Sequence, residues 1–88
     1  MTTEESQAIA RLKNAIKNAH KLGIRLAGMD GQLLYATSSA FRVGEARQKE
    51  AERRGRDSYS AVAMAVHTGQ VDGCGTLDEE CYEDSGGW

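Results

Sequence analysis

Asp30-Gly31 stands between two apolar stretches, Ile24 to Met29 and Gln32 to Thr37, and constrains the chain more tightly than any other pair of residues. A two-residue hairpin loop needs positive φ at both central positions, which Asp tolerates and Gly adopts freely. With these two residues as the loop, Met29 faces Gln32, Gly28 faces Leu33, Leu26 faces Tyr35 and Ile24 faces Thr37. Opposed residues share a face of a sheet. Ile24, Leu26, Leu33 and Tyr35 therefore fall on one side, and Arg25, Ala27, Met29, Gln32, Leu34 and Ala36 on the other. The first set is the more apolar and is expected to pack on a helix, leaving the mixed set partly exposed.

Helical periodicity flanks the hairpin. Ala8, Ile9, Leu12, Ala15, Ile16, Ala19 and Leu22 recur at threes and fours, with Lys13, Asn14, Lys17, Asn18 and Lys21 on the opposite face. Thr2 and Glu5 have capping-box spacing at the start of this helix, and Gly23 supplies its end. After the hairpin, Thr37-Ser38-Ser39 offers N-caps for a second helix over Ala40 to Arg54, closed by Gly55. Its first part (Ala40, Phe41, Val43, Ala46) is expected to dock on the core, and its second, Arg47 to Arg54, to be almost wholly solvated. A third helix, Tyr59 to Thr68 with Asp57 or Ser58 as cap, is apolar nearly all round between Ala61 and Val66 and is expected to be the most buried.

Beyond Gly69 the periodicity fades into a glycine-rich acidic segment, residues 69–88, where a second hairpin at Asp72-Gly73 and a wrapping loop are both open readings. Eighty-eight residues without internal repeats make one small domain. The expected class is α+β: helix, β-hairpin, helix, helix, then a short strand or a wrapped acidic C-terminal tail. The first and third helices are expected to cover one face of the hairpin.

Charge is sorted along the chain. All 11 Lys and Arg lie between Arg11 and Arg56, where with six acids they leave a net of +5. Seven acids and no base follow from Asp57 onward, a net of −7. Asymmetry of this kind points to an internal electrostatic clasp or to a bipolar surface that meets charged partners. The longest apolar run, Ala61 to Val66, is far short of the roughly 20 residues a bilayer crossing needs. The acidic start Met1-Thr2-Thr3-Glu4-Glu5 does not read as a signal peptide, so the expected setting is cytoplasmic with reduced Cys74 and Cys81.

The chemistry-bearing residues form no convincing active site, and neither an enzyme nor a cofactor is expected. Glu83-Asp84-Ser85-Gly86-Gly87 echoes a protease nucleophile, but only three residues follow Ser85, too few to build a pocket wall. His67, Cys74 and Cys81 lack the close thiolate pair of structural zinc sites, so no metal is expected. His20 and His67 both fall near helix C-termini, where a cation favours the dipole. Arg47, Lys49, Arg53, Arg54 and Arg56 form a candidate nucleic-acid surface, diluted by Glu45, Glu50 and Glu52. Asp78, Glu79, Glu80, Tyr82, Glu83, Asp84 and Trp88 form the opposite candidate, spaced carboxylates with aromatic anchors that fit a basic groove on another protein.

At Gly23-Ile24, Ala27-Gly28-Met29-Asp30-Gly31, Leu34-Tyr35-Ala36 and Asp84-Ser85-Gly86-Gly87-Trp88 the chain resembles small accessory proteins of bacteriophages and prophages, and in size and style anti-CRISPR proteins. The resemblance implies inhibition by binding and transfers no functional residue. The expected function is thus a non-enzymatic protein-binding module, a phage-type inhibitor of a host protein or nucleoprotein complex acting through the acidic segment. The alternative is a small nucleic-acid-binding regulator using the basic second helix. A homodimer is the further reading, through the exposed hairpin face or the second helix.

Overall fold

A computed structural model describes residues 1–78. The order is α1 (Thr3–Lys21), β1 (Arg25–Met29), β2 (Gln32–Ala36), α2 (Ser38–Arg53), α3 (Ala61–Thr68) and β3 (Cys74–Asp78), an α+β domain. The three strands form one antiparallel sheet in the order β1-β2-β3. Asp30 (φ 51°) and Gly31 (φ 78°) make the tight turn, and Met29↔Gln32, Gly28↔Leu33 and Leu26↔Tyr35 pair in the register that the turn dictates. The last strand joins the far side of β2, with Tyr35↔Gly75 and Ala36↔Cys74 opposed and a bulge between Leu33 and Leu34 that leaves Leu77 without a partner. Asp72-Gly73 is the turn that feeds β3 rather than a second hairpin, and the Gly73 carbonyl accepts the Thr37 N–H at 2.8 Å.

The sheet is covered on the face opposite to the one its hydrophobicity suggests. Leu34, Ala36, Ala40, Val62 and Ala63 form the core, with Ala27, Met29, Phe41, Val66, Val71 and Cys74 packed around them. The covering helices are α3 and α2, and α1 takes no part. Side-chain size decides this. Ala27 and Ala36 on the sheet and Ala63 on α3 are small enough for the layers to lie close, with Leu34 and Val62 filling the space between them, whereas Leu26, Leu33 and Tyr35 are bulkier. Among the described residues Leu34 is the one large side chain that is fully buried, worth about 1.5–3 kcal/mol.

The second half of α2 is not the almost wholly solvated stretch that its charge predicts. Ala40, Gly44 and Ala51 are buried along one stripe, and Gln48 Nε2 donates to the Tyr59 carbonyl at 2.8 Å. That bond helps hold the chain extended before α3, which starts at Ala61 rather than Tyr59. Its N-cap is Ser60, whose hydroxyl accepts the Ala63 N–H, in place of Asp57 or Ser58.

The expectation that α1 and α3 jointly cover the hairpin does not hold for α1, which has no buried residue. Its ends explain the geometry. The Thr2 hydroxyl accepts the Glu5 N–H at 3.1 Å and Glu5 Oε1 accepts the Thr2 N–H at 2.8 Å, a complete capping box. At the other end Gly23 (φ 82°) takes the left-handed conformation, with Ile24 N–H bonded to the Ala19 carbonyl and Gly23 N–H to that of His20. This Schellman closure leaves only Leu22–Ile24 between helix and strand and fixes the direction in which α1 leaves the domain.

Candidate functional site

Asp78 is the last residue of β3, an edge strand. The acidic run of the sequence therefore starts from the rim of the sheet. Glu79, Glu80, Tyr82, Glu83, Asp84 and Trp88 lie outside the described residues, as do Cys81 and Ser85.

The basic candidates are all described, and α2 distributes them over different tasks. Arg47 Nη1 donates to the Gly69 carbonyl at 3.0 Å and to the Thr68 hydroxyl, closing the C-terminus of α3. Arg53 Nη2 and Arg54 Nε both bond Glu50 Oε1, at 2.7 and 2.6 Å, and Arg53 Nε takes Oε2. The Arg53 guanidinium foremost holds the Glu50 carboxyl below its ordinary range, with Arg54 and the nearby charge of Arg56 adding to it against the pull of desolvation. Lys49 and Arg56 are exposed. Arg47, Arg54 and Arg56 line one cleft of about 270 Å³ together with the acids Glu50 and Asp57, while Arg47 also caps α3 and Arg53 and Arg54 share the Glu50 carboxylate.

A cleft of about 510 Å³ opens between the hairpin turn and the start of α3, lined by Gly28, Met29, Asp30, Ser58, Tyr59, Ser60 and Ala63. Its two serine hydroxyls have structural duties. Ser58 Oγ donates to Glu52 at 3.4 Å, and Ser60 Oγ caps α3. His67 is exposed, and Cys74 lies against the core with its thiol donating to the Val71 carbonyl at 3.4 Å. Among the described residues no three His, Cys, Asp or Glu side chains are grouped to hold a metal ion, and no helix is long and apolar enough to cross a membrane.

The surface that sequence reasoning misses is apolar. On α1, Ile9, Leu12 and Ile16 are 42, 60 and 46 % exposed. On the helix-free side of the sheet, Leu26 and Leu77 are exposed, and the Tyr35 ring lies over Gly75. Ile16, Ala19 and His20 meet Ile24, Arg25 and Leu26 in a notch of about 240 Å³, so the helix stripe and the sheet face run into one another. The signal was in the sequence as the α1 stripe itself. It reads as core because such stripes normally are.

Comparison with protein-family models, with curated proteins and with solved structures returns no match to this chain.

Proposed function

We propose that the protein is a non-enzymatic binding module that recognises another protein, or a nucleoprotein complex, through the acidic segment beginning at Asp78. One observation carries this reading. Of Arg53, Arg54 and Arg56, the bases that an internal electrostatic clasp would use, the first two are already engaged by Glu50 within their own helix. The carboxylates of Glu79, Glu80, Glu83 and Asp84 are then the complement of a basic surface on a partner, with Tyr82 and Trp88 as anchors. The resemblance to phage accessory proteins agrees with inhibition of a host component by occlusion.

The test is affinity capture with the full chain from a host lysate, followed by measured binding to the retained protein. The comparison is a variant carrying Glu79→Gln, Glu80→Gln, Glu83→Gln and Asp84→Asn. A weakening of at least tenfold at unchanged circular dichroism is expected, and it should shrink as salt screens the wild-type interaction. Equal affinity of the two proteins would remove the proposal.

A further inference from the structure

We infer that α1 is a self-association element, and that two copies pair about a two-fold axis with α1 of each laid into the notch and across the helix-free sheet face of the other. Four observations converge on a second copy as the occupant.

The first is that α1 is finished at both ends yet supported along neither side. A helix of 19 residues that buries none of them is marginal in water even with good caps, because most helical stability in proteins comes from burying the apolar face. Ile9, Leu12 and Ile16 form such a face and leave it open.

The second is that the chain carries a matching surface that its own α1 does not cover. Leu26, Leu33, Tyr35 and Leu77 share the outer side of the sheet, with Gly28 and Gly75 between them as flat ground for a crossing helix. The Schellman closure at Gly23, seated against Ser38, steers α1 past this face rather than onto it. Helix stripe and sheet face thus form two walls of one angle, joined at Ile16, Ala19, Ile24 and Leu26. Such an angle is self-complementary: the helix of one copy fills the angle of the other, and the operation is reciprocal.

The third is area. At 1.5 Å per residue α1 is about 28 Å long, and a stripe about 10 Å wide along it offers about 280 Å². Three five-residue strands span about 17 by 14 Å, a further 240 Å² or so. Both surfaces on both copies come to on the order of 1,000 Å², the lower bound of a specific interface. Helix pairing alone falls short, since Ile9, Leu12, Ile16 and Ala19 span fewer than two heptads.

The fourth is charge. The stripe is flanked by Arg11, Lys13, Lys17 and Lys21, whereas β3, at the border of the outer face, ends on the acid Asp78. A helix crossing the partner's face toward β3 brings opposite charges together.

Sedimentation equilibrium of the full chain from 1 to 200 μM tests this, beside the variants Leu12→Glu on the helix and Leu26→Glu on the sheet. Twice the chain mass of 9.5 kDa is expected for the wild type, with association weakened about 30-fold or more by either substitution. Both residues lie outside the core, so a urea transition of unchanged slope for each variant at 1 μM shows that the domain still folds. A wild type that stays monomeric at 200 μM overturns the inference, as does a dimer that neither variant weakens. A dimer lost in Leu12→Glu but kept in Leu26→Glu overturns the sheet contact and reduces the pair to helix on helix. None of these outcomes bears on partner recognition through Glu79 to Asp84, which is measured separately.

Discussion

A Cβ built on Gly44 would lie 1.9 Å from the carbonyl oxygen of Ala61 and 2.8 Å from its carbon, and would also crowd the Ala65 methyl at 3.3 Å. The obstruction is backbone, so no rotamer change relieves it. Here α2 and α3 are in contact without a side chain between them, and the rest of their packing is set by this approach.

Gly44→Ala is accordingly expected to destabilise the domain by about 2–3 kcal/mol, the cost of overpacking outweighing the gain of up to about 1 kcal/mol in helix propensity. Urea denaturation followed by circular dichroism measures it. A variant as stable as the wild type would mean that the helices do not touch at this point.

Gly73 combines a left-handed conformation (φ 83°) with a hypothetical Cβ only 2.5 Å from the Thr37 hydroxyl, the N-cap of α2. Gly73→Ala is expected to cost about 2–3 kcal/mol, from backbone strain plus a displaced cap. Gly55 has a similar φ of 69° and open space around it, so Gly55→Ala isolates the strain at about 1 kcal/mol. Thermal denaturation of the two should differ in that order; equal losses would clear Thr37.

Arg47→Met retains the aliphatic stem of the side chain and removes the donors to Gly69 and Thr68. A loss of about 1 kcal/mol is expected, with faster amide exchange in the last turn of α3. Lys49→Ala, two residues away and exposed, should stay within about 0.5 kcal/mol. If the two are indistinguishable, the Arg47 bonds do not hold α3 closed.

The Glu5 carboxyl is held below the usual carboxylate range, chiefly by the Thr2 backbone N–H and then by the Thr2 hydroxyl, against slight desolvation. It is the charged form that is favoured in the folded helix, so the first turn of α1 has its full support above the ordinary carboxylate pKa. That support is lost as pH falls through the depressed value. Carboxyl chemical shifts should show Glu5 titrating low in the wild type and higher in Thr2→Ala, with fraying at residues 3–6. A Glu5 titration unaffected by Thr2→Ala would rule out the capping box as its cause.

The hairpin, its register and the caps of α1 could be read from single residues because each is a local matter. Asp30-Gly31 admits one turn, Thr2 and Glu5 sit three apart, and Gly23 closes a helix whatever lies beyond it. Which face of the hairpin is buried is a different kind of question. The sum of hydrophobicity favours Leu26, Leu33 and Tyr35, but α3 seats Val62 and Ala63 with Leu34 and Ala36, beside Ala27, and turns Ala61 and Ala65 toward Gly44 of α2. The stripe Ala40, Gly44, Ala51 on α2 is hidden for the same reason: small residues carry little hydrophobic signal and contribute by letting backbones meet. Of the candidate sites, the basic set has Arg47, Arg53 and Arg54 tied to the end of α3 and to Glu50, partners that spacing alone does not reveal, although Arg47, Arg54 and Arg56 still line one cleft. The acidic set beyond Asp78 lies outside the described residues.

The sealed ends of α1 have a consequence for how such a chain can diversify. With both termini satisfied by their own neighbours and no methyl of the helix inside the core, the segment is a cassette. Its outward positions can be rewritten, or the whole unit exchanged for another of equal length, without renegotiating the packing of α2, α3 and the sheet. Selection can thus retune what this arm grips while leaving the body's folding untouched.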